Sequence, residues 1–171
     1  MRHEKFSSVG RDLTEDVYNH KLYKTKRKIT DIVLHCSASD YHKNYDAIDI
    51  DRWHQNRWGS KSGCGYHFVI LQDGTIQKGR WLDYMGAHVK GHNRTTIGIC
   101  YIGGVDENNK VVYDYETEAQ YNSILELVNL LCYQYSLSPD SHVYGHNEFP
   151  GVHKQCPCLD MDNLRNDLYK G

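Results

Sequence analysis

Fourteen residues in the last third of the chain bring together Gly145-His146-Asn147-Glu148 and His153-Lys154-Gln155-Cys156-Pro157-Cys158. Imidazoles, a carboxylate, an amine and two thiols in so short a stretch do little for a core. Histidine nitrogen and cysteine sulfur are ligands that zinc accepts, in a tetrahedral set that water completes where the site is catalytic. Taken alone, the stretch fits a structural zinc knuckle, a chemical site or a polar loop rich in histidine. His146 and Cys156 supply two ligands, and a third must come from elsewhere. His142 and His153 are local and would make a knuckle with Cys158. His35, His67 and His88 are remote. Of these, His35 ends a strand-like run, where the open edge of an α/β sheet presents side chains to a cleft.

The elements that must position these groups follow from periodicity. Ile29 to Cys36 is a β-branched, apolar strand candidate in which His35 and Cys36 point to opposite faces. Asp46 is a candidate N-cap for a helix to Trp58 carrying Ile50 and Trp53. Tyr66 to Leu71 and Ile76 to Trp81 flank Asp73-Gly74, which predicts a hairpin with a two-residue turn. Thr95 to Ile102, apolar on both faces in part, reads as a central strand. Thr117 and Gln120 form a capping-box pattern before a helix with Ile124, Leu125, Val128, Leu131, Cys132 and Tyr135 at helical spacing. His142 to Gly145 is a last short strand, and Asp160 caps a terminal helix bearing Leu164 and Leu168. This order predicts an α/β fold, a single domain with a central mixed β-sheet flanked by helices.

Composition narrows the function. At 171 residues, 39% hydrophobic and 25% charged, the chain suits one globular domain. Residues 1–28 hold eight Lys or Arg against four Asp or Glu, whereas the remainder is acidic. A basic arm on an acidic body argues against nucleic-acid binding. Residues 1–28 read as a basic N-terminal arm, a solvated extension or clasp with little to bury, and residues 29–171 as the domain. Cys36, Cys100 and Cys132 sit in apolar runs and read as small buried hydrophobes of a reducing compartment. The opening residues lack an apolar signal region and no apolar run spans a membrane, so cytosolic synthesis without membrane insertion is expected.

Five segments carry a resemblance: VLHCSAS (33–39), GYHFVILQDGTIQKGR (65–80), GAHVKGHNRTTIGICYIGG (86–104), GHNEF (145–149) and KQCPCLD (154–160). In the same order they resemble the zinc-dependent N-acetylmuramoyl-L-alanine amidases of the phage T7 lysozyme type, relatives of the peptidoglycan recognition proteins. The resemblance implies their fold, with residues 29–171 as a zinc amidase domain. It implies Zn2+ as cofactor, and hydrolysis of the amide between N-acetylmuramic acid and L-alanine of peptidoglycan. His35, His146 and Cys156 become the zinc ligands, with Cys156 chosen over Cys158 because it precedes proline in a Lys-x-Cys-Pro pattern. Tyr66 and Lys154 take the two catalytic positions that are not ligands. This chain departs in a longer segment between His146 and Lys154 and in Cys158, where a small Ser or Gly is usual. A monomeric phage endolysin acting on the cell wall after holin-type release is expected. Members of this branch also inhibit a phage RNA polymerase, a role that the longer basic N-terminus gives no ground to extend here.

The residues support that chemistry independently. Two neutral imidazoles and a thiolate leave a zinc site with net positive charge, able to polarise a carbonyl and acidify water. Lys154 is placed to face a developing oxyanion, and Tyr66 to donate to it or orient the water. Glu148 is the candidate acceptor for a ligand imidazole's second N–H. Arg80 and His88 are candidates to hold peptide carboxylates or sugar amides. Asn93 is expected to hold its loop, Trp53 to be core, and His3, His20, His42 and His54 to be surface. Two competing functions are a non-catalytic peptidoglycan-binding module, in which the thiolate position is typically changed, and a structural zinc domain in protein–protein contacts. The latter would have no use for His35 and Tyr66.

Overall fold

The computed structural model describes residues 2–169. In chain order the strands are β1 (Asp31–Cys36), β2 (Ser39–Asp40), β3 (Phe68–Ile70), β4 (Ile76–Lys78), β5 (Thr96–Tyr101), β6 (Gly104–Val105) and β7 (Val143–Gly145). The helices are α1 (Thr14–Tyr18), α2 (Ala47–Trp58), α3 (Glu118–Tyr135), α4 (Pro139–His142) and α5 (Met161–Asp167). Every residue of β5 is buried, and β5 is the centre of a mixed sheet ordered β4-β3-β5-β1-β7. β1 and β3 flank it in parallel, β7 continues in parallel beyond β1, and β4 closes the other edge antiparallel. β2 and β6 form a small separate ladder.

Side-chain alternation divides the sheet between two cores. Ile32, Leu34 and Cys36 of β1, Phe68 and Ile70 of β3, and Ile97, Ile99 and Tyr101 of β5 pack with α3 through Ile124, Leu127, Val128 and Leu131. On the opposite face Val69 and Cys100 pack with Ala47 and Ile50 of α2. Both long helices start as their sequences predict. The side chain of Asp46 accepts from Asp49 N–H and that of Thr117 from Gln120 N–H, each completing a reciprocal box. Asp160 caps α5 by accepting from Asn163 N–H, and Leu164 and Leu168 are buried beneath it.

Two expectations need correction. The hairpin between β3 and β4 has a three-residue loop, not two. Leu71 N–H bonds Thr75 O, Gly74 N–H bonds Leu71 O, and Gly74 takes φ +88°. This is a type I turn followed by a left-handed glycine, the next most common hairpin solution. The second concerns residues 2–28, which have more to bury than expected: they lie against the domain as a clasp, although many of their side chains are exposed. Phe6, Leu13, Val17 and Leu22 are buried, because Leu13 and Val17 stand four apart and share one helical face. The segment also runs along β4, with Gly10 N–H and Leu13 N–H donating to Lys78 O and Ile76 O, and Lys78 N–H to Arg11 O. It thereby covers a sheet edge that would otherwise be open.

Candidate active site

Strand register brings the first two imidazoles together. In the parallel pairing of β1 with β7, Leu34 lies opposite Gly145. One further step sets His35 beside His146, in the 3-10 turn His146–Glu148 that follows β7. Their rings are 4.7 Å apart. The third group arrives on the loop after that turn. Asn147 N–H donates to Cys156 O at 2.9 Å, and Cys36 N–H to Cys156 Sγ at 3.3 Å. Tyr101 donates its hydroxyl to Pro157 O at 2.8 Å, anchoring the loop to the central strand. One nitrogen from each imidazole and Cys156 Sγ then lie within 4.8 Å of one another.

Hydrogen bonding orients His35. Thr96 Oγ1 has a single proton and donates it to His92 O at 2.8 Å. It therefore accepts from His88 Nε2, 3.2 Å away, which leaves His88 Nδ1 as an acceptor. That atom is 2.8 Å from His35 Nε2, so His35 donates from Nε2. Its Nδ1 lone pair is left to face Cys156 Sγ at 3.6 Å. Close packing holds the relay. His88 lies against Gly98 of β5, where an added Cβ would come within 2.7 Å of His88 Cγ. Asn93 Oδ1 accepts from both His88 N–H and Val89 N–H at 2.9 Å, as expected of a loop-holding residue.

His146 and Cys156 line a groove of about 820 Å3, with His35 buried behind them, and its walls include Tyr66, Lys154, His54, Arg57, Trp58 and Lys90. Among the described residues, no carboxylate lines it. The Tyr66 ring is 4.9 Å from that of His35, and burial, reinforced by nearby thiols, holds its hydroxyl protonated well above the usual phenol range. Burial also depresses both imidazoles. His35 is lowered further by His146 and then Lys154, and His146 by Lys154. Both rings are thus neutral near pH 7, the form in which imidazole is a ligand.

Several roles expected of other residues change. Arg80 is 7% exposed. Its Nε and Nη1 donate to Cys64 O and Met85 O at 3.0 Å, tying two loops together. His88 is a largely buried partner of His35 that also lines the groove. Glu148 does not sit on an imidazole. Its carboxylate accepts Gly145 N–H at 2.8 Å and pairs with Arg165, which also donates to Val143 O. It therefore shapes the backbone that carries His146, and the sequence reading missed Arg165 altogether. His54 is no surface residue, since Nδ1 accepts Gly65 N–H at 2.9 Å. Its position four residues after buried Ile50 was the available signal. His142 pairs with Asp31 Oδ1, and Cys158 Sγ faces Cys36 Sγ, so neither belongs to a local knuckle.

His67 is a core residue. Its Nδ1 accepts Gly98 N–H at 3.1 Å and its Nε2 donates to Tyr84 O at 2.9 Å. Burial pushes its pKa down to about 3, against about 6.5 in an unfolded chain. Between those values the unfolded state binds the extra proton, so the stabilisation is full above pH ~6.5 and lost as pH falls toward ~3. The urea midpoint should therefore decline from pH 6.5 to 4, and His67→Gln should flatten that decline. An equally steep decline in the variant would remove His67 as the acid-sensitive group.

The model of the N-acetylmuramoyl-L-alanine amidase family matches residues 25–158. An endolysin of Escherichia phage T7 is 35% identical over 138 residues, covering 80% of this chain and 85% of that protein. An endolysin of Klebsiella phage KP32 is 34% identical over 143 residues, 82% of this chain and 89% of its own length. Among solved structures, the endolysin amidase LysCS from Clostridium intestinale URNW superposes with a TM-score of 0.67 at 27% identity, covering 82% of this chain and 83% of its own.

Proposed function

Because this chain belongs to the N-acetylmuramoyl-L-alanine amidase family, we propose that it uses a zinc ion on His35, His146 and Cys156 to hydrolyse the bond between N-acetylmuramic acid and L-alanine in bacterial peptidoglycan. The convergence of those three donors within 4.8 Å of one another, two of them lining the groove, carries this reading. The donor set suits the metal. Tetrahedral zinc, with bonds of about 2.3 Å to sulfur and about 2.0 Å to nitrogen, sets S and N about 3.6 Å apart. Cys156 Sγ and His35 Nδ1 are 3.6 Å apart. When bound, zinc supplies a water acidic enough to attack at neutral pH and a Lewis acid for the amide carbonyl.

The rest is the work of side chains. The Lys154 ammonium faces the oxygen that gains negative charge, and the protonated Tyr66 hydroxyl donates to the same oxygen. His88 keeps His35 in the tautomer whose Nδ1 is free. The cationic groove walls, with no acidic group among the described residues that form them, favour the carboxylates of a stem peptide. The wall is the site of action, and release from the cytosol is a separate step.

The direct test is product analysis. Zinc-loaded protein acting on purified sacculi should release free peptides beginning with L-alanine and leave the glycan intact, and chelated protein should release none. Binding without release by folded, zinc-loaded protein on several wall types would overturn the reading in favour of a recognition module.

A further inference from the structure

Two further thiols lie directly beneath the candidate metal centre. Cys36 follows His35 on β1, and Cys158 lies two residues beyond Cys156. Their Sγ atoms are 3.8 Å apart, and both side chains are buried, at 5% and 3% exposure. A covalent bond at about 2.05 Å asks the two sulfurs to close by under ~2 Å. Cys156, the more exposed of the three thiols, lies 3.6 Å from His35 Nδ1 and accepts the Cys36 N–H, while the Cys36 thiol has the Cys158 thiol at 3.8 Å.

We propose that Cys36 and Cys158 are a disulfide site, oxidised when the folded protein meets a disulfide-containing medium. The bond would join the strand that carries His35 to the loop that carries Cys156. Its value to the metal centre rests on the zinc reading above, whereas its formation does not. Using oxidised glutathione as the oxidant, the Cys158 thiolate attacks one glutathione sulfur and expels glutathione thiolate. The Cys36 thiolate then attacks the Cys158 sulfur of the mixed disulfide and expels the second. The two protein thiols lose two electrons and two protons, and two molecules of glutathione carry them away. Access runs through the loop before Cys158, where Pro150, Gly151, His153, Lys154 and Gln155 are exposed. With metal bound, Cys156 is held as a ligand and is spared.

The bridge would span 122 positions of chain. Closing so long a loop restricts the unfolded state most and should raise Tm by ~10 °C. It should also slow zinc loss to a chelator. The experiment incubates zinc-loaded protein in glutathione buffers from reducing to oxidising, traps free thiols with iodoacetamide, and maps unreduced peptides by mass spectrometry. The expected result is a peptide pair linked through Cys36 and Cys158, a whole-protein mass lower by about 2 Da, and a Tm rise absent in Cys158→Ser. Alkylation of both Cys36 and Cys158 in the fully oxidised sample, or a bridge through Cys156, would overturn the proposal. Zinc content and peptide release, measured on the same samples, report separately on the amidase reading.

Discussion

Cys156→Ala should lose zinc and reduce peptide release from sacculi to the level of chelated enzyme, whereas Cys158→Ser should keep both. The two thiols are two residues apart but occupy different environments. Cys156 Sγ lies 3.6 Å from His35 Nδ1 at the groove floor. Cys158 Sγ is buried against Cys36 on the core side of the sheet. Removing Cys156 leaves two imidazoles and takes away the only anionic ligand, so the ion is held weakly. Without the ion, the water would lose the acidification that zinc would supply, and with it the nucleophile at neutral pH. Zinc content by plasma emission, alongside peptide release, separates the alternatives. One equivalent of zinc in Cys156→Ala, or its loss in Cys158→Ser, would reverse the assignment of the thiolate.

Tyr66→Phe and Lys154→Ala should each slow hydrolysis by ~10²–10³ while retaining zinc, the range seen when one oxyanion donor is removed. Tyr66→Phe deletes only the hydroxyl, and the ring that packs 4.9 Å from His35 remains. Lys154→Ala has a second effect of predictable sign. The Lys154 charge helps to depress the pKa of His35 and His146, so its removal lets protons compete for these imidazoles at higher pH. Zinc binding should therefore fail at a higher pH in Lys154→Ala than in Tyr66→Phe. Single-turnover rates at saturating zinc, paired with zinc titrations from pH 5 to 8, read the two effects apart. Equal zinc loss in both variants at neutral pH would place these residues in metal retention and not in the chemistry.

Much of this protein was legible from sequence because the signals concerned are short-range. Helix starts at Asp46, Thr117 and Asp160 follow from side chains that bond an N–H three residues on. The central position of β5 follows from a run apolar on both faces. His35 at the end of one strand, and His146 just after another, stand where parallel sheets expose ligands. The packing of the segment before β1 was harder to see, since its buried anchors Leu13, Val17 and Leu22 are few and spaced among charges, and their partners lie on α3 and β4.

What only the tertiary structure decided is which polar group answers which. His88 meets His35 across 53 positions of chain, and the meeting depends on the sheet register and on Gly98 leaving room for a ring. Arg80 is held by the carbonyls of Cys64 and Met85, and a backbone carbonyl has no signature in sequence because every residue has one. Glu148 turned from an imidazole to Gly145 N–H and Arg165 for the same reason. Sequence thus determined the donor atoms and the local elements that carry them. The three-dimensional packing determined the orientation of each donor, because hydrogen-bond partners are chosen by distance in space.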